Sequence, residues 1–109
     1  MTNQEINKRI AELLGYTVRY KYVSGEVRTN CRPPKFLNYC NNWNQLMPLV
    51  IQHNISHYRP KEIDSDIWIA SKYNAIKQEI IEAFYFSPQM ALCMCLIKVL
   101  EAEMEGKET

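Results

Sequence analysis

The stretch Ser87-Pro88-Gln89-Met90-Ala91-Leu92-Cys93-Met94-Cys95-Leu96-Ile97-Lys98-Val99-Leu100 carries the strongest structural signal in the chain. Ser87 offers an N-cap hydroxyl, and Pro88 suits the first helical position, where no backbone N–H is needed. Leu92, Cys95, Leu96, Val99 and Leu100 then fall at i, i+3, i+4, i+7 and i+8, one face of an α-helix. Only Lys98 interrupts the apolar run, so this helix is expected to be buried over more than one stripe. It reads as a packing element and not as a site. Met90, Met94 and Ile97 lie off the main stripe and are expected to form an uncovered apolar patch, through which the chain is predicted to homodimerise.

What can pack on that helix follows from the rest of the chain. Thr2-Asn3-Gln4-Glu5 fits a capping box, and Ile6, Ile10, Leu13 and Leu14 make a narrow apolar stripe that Gly15 stops. A first helix is predicted from Asn3 to Leu14. From Tyr16 to Val23 the pattern alternates, with Tyr16, Val18, Tyr20 and Tyr22 on one face and Thr17, Arg19 and Lys21 on the other. This period of two predicts a half-buried strand with its tyrosines under a helix. Ser24-Gly25 signals a turn, Glu26 to Cys31 a returning strand, and Arg32-Pro33-Pro34-Lys35 its end.

Asn41 and Asn42 can cap a second helix carrying Trp43, Leu46, Met47, Val50 and Ile51, with a kink or a late start expected at Pro48. Polar residues from Gln52 to Asp66 predict a loop, and Ile67 to Ala70 a strand. Asn74 to Phe86 stays ambiguous. Ile76, Ile80 and Phe84 have helical spacing, whereas Ile80 to Phe86 would also suit a strand covered on both faces.

At 109 residues, 47% hydrophobic and 23% charged, the chain has the size and composition of one globular domain, 1–109, with a core of its own. The longest strictly apolar run, Met90 to Ile97, is far too short to span a membrane, and the first residues lack the pattern of a secretory signal. A cytoplasmic location with reduced cysteines is therefore expected. The net charge of +1 hides an asymmetry: nine Lys/Arg against three Asp/Glu up to Lys61, then four against nine from Glu62 onward. The two halves either attract each other within the fold, which is the favoured expectation, or leave a basic surface for an acidic partner.

Three patches together resemble the phage ABA sandwich domain family, small phage-associated proteins with cyanobacterial relatives. They are Thr2 to Gly15, Trp43-Asn44-Gln45-Leu46-Met47-Pro48-Leu49-Val50, and the Ser87 to Leu92 helix entry. The family tends to carry a Pro-x-Tyr-x-x-Asp approach to its second helix; here Phe36 to Asn42 occupies that place, with Asn42 where an Asp is usual. The resemblance implies a layered α/β/α sandwich and an origin in a phage, prophage or similar mobile element. It favours a strand before Ser87, hence a hairpin of Asp66–Tyr73 with Gln78–Phe86. It transfers no activity onto these residues.

Four constellations bear on chemistry. Cys31, Cys40, His53 and His57 are spaced Cys-x8-Cys-x12-His-x3-His, and the last two gaps match a zinc finger. The first gap is too wide for a thiolate knuckle and contains Pro33-Pro34, so buried cysteines and exposed loop histidines are expected, with no metal. Cys93 and Cys95 lack redox-pair spacing: two residues on a helix turn about 200°, which keeps the sulfurs apart. Cys95 is expected in the core and Cys93 on a partly exposed face. Arg19, Lys21, Arg28, Arg32 and Lys35 form a basic set, but the tyrosines between them are expected on the opposite face, which speaks against nucleic-acid stacking. Glu62, Asp64 and Asp66 are expected to be a solvated acidic loop.

No catalytic constellation is recognisable, and the three glycines build no phosphate loop, so neither catalytic residues nor cofactors are assigned. The expectation is a small α+β domain with three helices and an antiparallel sheet of three or four strands. Its expected role is that of a non-enzymatic accessory protein that contacts an unidentified protein partner. A nucleic-acid-binding accessory protein using the basic first half is the alternative.

Overall fold

A computed structural model describes residues 2–21, 25–60, 66–75 and 77–107, and its first element is the helix that the capping residues predict. Helix α1 spans Asn3–Leu13 with Thr2 as N-cap. The Glu5 N–H donates to Thr2 Oγ1 at 3.2 Å, and the Thr2 hydroxyl lies 3.1 Å from the Glu5 carboxylate. At the other end the Tyr16 N–H reaches Ala11 O and the Gly15 N–H reaches Glu12 O, a Schellman closure that Gly15 permits with φ +95. Ile6, Ile10 and Ala11 are buried, and so is Asn7.

Asn7 is the polar knot of this end of the molecule. Its amide nitrogen donates to Gly25 O and to Asn38 Oδ1, both at 2.9 Å, and its oxygen accepts the Cys40 N–H at 3.1 Å. One buried side chain thereby ties α1 to the turn at Gly25 and to the segment that leads into the second helix. Burial without these partners would be costly, so the bonds explain its place in the core.

Strands β1 (Val18–Lys21), β2 (Val27–Thr29) and β3 (Phe36–Leu37) form an antiparallel sheet in that order. Both predicted strands are shorter than expected, and β3 was not expected. The Thr29 hydroxyl folds the intervening loop: it accepts the N–H groups of Cys31 at 3.4 Å and Lys35 at 3.0 Å. The Thr29 N–H also donates to Lys35 O, so the chain returns beside β2 after the prolines. Val27 and Leu37 are cross-strand partners and both are buried.

The register slips between Val18 and Tyr20: Val18 pairs with the buried Thr29, whereas Tyr20 pairs with Arg28. This irregularity breaks the alternation on which the expected tyrosine face rested. Tyr22 and Val23 lie outside the described residues.

Helix α2 spans Trp43–Gln52, capped by the Asn42 side chain, which accepts the Asn44 N–H at 3.0 Å. The helix starts well before Pro48 and continues through it, which excludes the late start among the two expected alternatives. Pro48 and Asn44, the residue whose carbonyl proline cannot pair, are both exposed. Leu46 and Val50 are buried, but Trp43 and Ile51 are not: Ile51 is 70% exposed. The buried stripe is narrower than the apolar pattern.

A second antiparallel sheet contains β4 (Ser56–Tyr58), β5 (Trp68–Asn74) and β6 (Glu79–Tyr85). β4 falls inside the predicted loop; it is a short edge strand whose three residues are all exposed, so no hydrophobic alternation marks it. The ambiguous stretch is strand, and β5–β6 is the expected hairpin, in continuous register from Trp68↔Tyr85 to Asn74↔Glu79. Gln78 takes φ +53 and the Lys77 N–H donates to Asn74 Oδ1 in its turn.

Helix α3 spans Pro88–Lys107 and packs against α1, α2 and all three strands of the second sheet. Ala91, Leu92, Cys93, Cys95, Leu96, Ile97, Val99 and Leu100 are buried, as a helix surrounded on several sides requires. The small cross-strand pair Ala70–Ala83 lets it approach the sheet closely. The expected patch of Met90, Met94 and Ile97 is not uncovered: Ile97 is buried, and both methionines pack on the core. The fold is thus α+β, with three helices among the described residues and the antiparallel strands divided between two small sheets. No helix among the described residues is long and apolar enough to cross a membrane.

Ion pairs join the two oppositely charged halves: Arg9–Glu101 at 3.0 Å and Arg59–Asp66 at 2.7 Å each pair a residue of the basic half with one of the acidic half.

Candidate functional site

The hairpin presents one face to α3 and the other to solvent. Ala70 and Ala83 mark the inner face, with Trp68 and Ile81 packed beside them. Residues of the other parity belong to the outer face. The register places three cross-strand rows there. Tyr58, Ile69 and Phe84 make the first, Ser56, Ser71 and Glu82 the second, Tyr73 and Ile80 the third.

Among the described residues, four large side chains stand exposed on this face. Tyr58 is 49% exposed, Phe84 54%, Tyr73 61% and Ile80 60%. Ile69, which pairs with Tyr58 on one side and Phe84 on the other, is buried although it is not part of the main core. An open depression of about 440 Å³ lies at one end, lined by Asn54, Ser56, Ser71, Lys72, Tyr73 and Ile80. The outer face thus carries exposed apolar rows divided by a small polar row.

These residues were not singled out in the sequence, because both parities of β6 are partly apolar. Ile80 and Phe84 alternate with Ile81, Ala83 and Tyr85, so the pattern does not say which side is covered. The small pair Ala70 and Ala83 was the available signal, since only the side with small residues can accept a helix at short distance.

The basic set is spread over the first sheet. Arg19 and Lys21 lie on β1 and Arg28 on β2, while Arg32 and Lys35 are exposed in the loop that follows. The register sets Arg28 between Tyr20 and Phe36. The Lys35 ammonium donates to the Tyr16 hydroxyl at 3.2 Å and lies 5.3 Å from its ring centroid. That hydrogen bond raises the lysine pKa above its ordinary value. Lys35 and Tyr16 therefore share surface, which corrects for this pair the expectation that basic and aromatic groups would lie on opposite faces.

The zinc-like set goes to separate uses. Cys31 is half-buried; Cys40 is buried beside Cys93, whose thiol hydrogen-bonds to it and lowers its pKa. His53 is buried at the end of α2 and its Nδ1 lies 3.0 Å from Glu103 Oε1, whereas His57 sits on β4 with its ring centroid 6.0 Å from that of Trp68. The expectation of exposed loop histidines is therefore corrected in burial for His53 and in placement for His57, which is exposed but belongs to a strand. Among the described residues no three metal-ligating side chains come together.

Cys93 is fully buried, contrary to the partly exposed face expected for it. Its thiol points to Tyr39 O at 3.5 Å, whereas that of Cys95 points to Ile81 O at 3.8 Å. The two sulfurs serve opposite sides of α3, as the helical angle between them requires. Burial holds the Cys95 pKa up at about 11. Of the acidic cluster, Asp66 pairs with Arg59, while Glu62 and Asp64 lie outside the described residues.

A scan against protein-family models finds no match for the chain. A search of curated proteins finds none either.

Proposed function

We propose that this chain is a non-enzymatic accessory protein that acts by protein contact through the outer face of β4–β5–β6. The observation that carries this reading is the exposure of Tyr58, Tyr73, Ile80 and Phe84 together on one sheet face. Scattered apolar residues are normal on a surface, but contiguous ones on a rigid element mark interfaces. The cytoplasmic setting and the phage or mobile-element origin belong to the same proposal. The first rests on the sequence composition, the second on the three patches that resemble the phage ABA sandwich family.

A photo-activated crosslinker placed at Tyr73, and separately at Ile80, tests the reading in the native cell. Discrete protein adducts are expected from both positions and not from Glu12, an exposed position on α1. The absence of any adduct specific to the sheet, with another protein or with the chain itself, refutes it.

A second reading, single-stranded nucleic acid on the first sheet, is favoured by the Lys35–Tyr16 contact, a cation placed on an aromatic ring. Phosphate-driven binding falls steeply with salt. A salt-sensitive complex with single-stranded DNA or RNA, weakened by changing Arg28 and Arg32 to Ala, would put this reading first. With the protein-contact reading, no complex is expected at micromolar protein and physiological salt.

A further inference from the structure

We propose that Cys40 and Cys93 are a redox pair, which a hydroperoxide converts to a disulfide inside the folded chain. The pair lies where α1, α3 and the segment before α2 meet, and the proposal does not depend on the reading of the outer sheet face.

Two thiols from distant parts of the chain come together here. Cys40 belongs to the segment that leads into α2, and Cys93 lies in the first half of α3. Both are free and buried, and the Cys93 thiol hydrogen-bonds to that of Cys40. The surrounding backbone holds this contact in place. The peptide between Tyr39 and Cys40 is pinned from two sides. Its carbonyl accepts Gln89 Nε2 at 3.1 Å and the Cys93 thiol at 3.5 Å, and its N–H donates to Asn7 Oδ1 at 3.1 Å. Gln89 and Cys93 are i and i+4 on α3, so one face of that helix grips the peptide that carries Cys40. The Cys40 thiol itself points to Asn3 O at 3.7 Å. Sulfurs already in contact need only a short approach to reach a bond of about 2.05 Å, which side-chain rotation can supply. Cys95, two residues further on, points away to Ile81 O on the other side of α3.

The two thiols are not equivalent, and the difference sets the order of the steps. Cys40 is 6% exposed and is followed by the exposed Asn41, whereas Cys93 is 0% exposed. The hydrogen bond from Cys93 holds the Cys40 pKa below its ordinary value, while the same bond and burial push that of Cys93 up. The thiolate is the nucleophile, so Cys40 reacts first. Its sulfur bonds to one oxygen of the hydroperoxide as the O–O bond breaks. The departing oxygen takes up the proton that Cys40 gives up, and leaves as water when the oxidant is hydrogen peroxide. Cys40 is then a sulfenic acid. The Cys93 sulfur attacks it, the S–S bond forms as the S–O bond breaks, and the Cys93 proton leaves with the hydroxyl as a second water. The two thiols together lose two electrons and the peroxide gains two. A thiol reductant restores the pair by exchange.

The test treats the purified, reduced full chain with hydrogen peroxide, blocks the remaining thiols with N-ethylmaleimide in denaturant, and maps the unreduced digest by mass spectrometry. The main product is expected to be a Cys40–Cys93 bond within one chain, reversed by dithiothreitol, with Cys95 recovered as a blocked thiol. Fragment ions place the bond within Cys93-Met94-Cys95. Closing the long loop between positions 40 and 93 should raise the melting temperature by about 10 °C. Cys93→Ala is expected to stop at the Cys40 sulfenic acid, which dimedone should trap about 10-fold more than in the parent. A bond mainly to Cys31, a bond mainly between chains, or a bond that forms only in urea overturns the proposal. So does Cys40 left unchanged by peroxide, or an oxidised chain that melts below the reduced one, since the bond would then not fit the fold. The map of the parent chain decides these outcomes even if Cys93→Ala does not fold.

Discussion

Replacing Leu96 by alanine tests the central claim of the fold, that α3 is enclosed by the other elements. Leu96 is 0% exposed. The substitution deletes about three buried carbon groups at about 0.8 kcal/mol each, roughly 2.4 kcal/mol of transfer energy. A residual void of about 50 Å³ at about 24 cal/mol per Å³ adds roughly 1 kcal/mol. The expected loss is therefore about 3.5 kcal/mol. With a urea slope of about 1.5 kcal/mol per M, the unfolding midpoint should fall by about 2 M. The paired control is Ile51→Ala, in a residue that the apolar pattern places on the buried stripe of α2 and the structure leaves 70% exposed. That change should cost less than about 0.5 kcal/mol. Equilibrium urea titrations of the two variants and the parent, at one protein concentration, make the comparison. A Leu96→Ala loss under about 1 kcal/mol, or equal losses at the two sites, would show that the packing described for α3 is wrong.

Two further outcomes follow from buried polar and thiol groups. Asn7→Ala should cost about 2–4 kcal/mol in the same titration, because the Cys40 N–H and Gly25 O lose buried partners, and Asn7→Leu should not restore the loss. A small effect would mean that water replaces the amide. Alkylation followed by mass spectrometry should label Cys31 first, with Cys93 and Cys95 reacting only on unfolding. The folded Cys95 pKa of about 11 stands above the ordinary thiol value of 9.0, so the folded state holds its proton more tightly than the unfolded state does. Stability from this group is full below pH 9 and is lost as pH rises toward 11. The melting temperature should fall over that window, less steeply in Cys95→Ala; an unchanged slope in that variant would remove Cys95 as a contributor.

The ends of the helices were legible in the sequence because their determinants are local. Thr2 with Glu5, Gly15 after Leu14, Asn42 before Trp43, and Ser87-Pro88 act within one turn of the backbone they cap. The enclosed character of α3 could also be read, since an apolar run on several faces can rest only among several neighbours. The β5–β6 hairpin was reached through the family resemblance; periodicity alone left helix and strand open.

Tertiary structure decided what no local pattern contains. The slip between Val18 and Tyr20 depends on how β1 meets β2, and it brought Tyr20 opposite Arg28 against the alternation. The Thr29 clamp created β3, and a short polar segment became β4 because β5 lay beside it. Asn7, polar and placed among helix formers, became a core residue because Gly25, Asn38 and Cys40 converge on it from distant parts of the chain. The candidate surface has the same origin. Both faces of β6 carry apolar residues, and α3 settled on the side where Ala70 and Ala83 leave room. Tyr58, Tyr73, Ile80 and Phe84 were thereby left outside. Caps and periodicity act through neighbours in sequence; which face is covered depends on the volume available to a partner element, and that is fixed only when the elements meet.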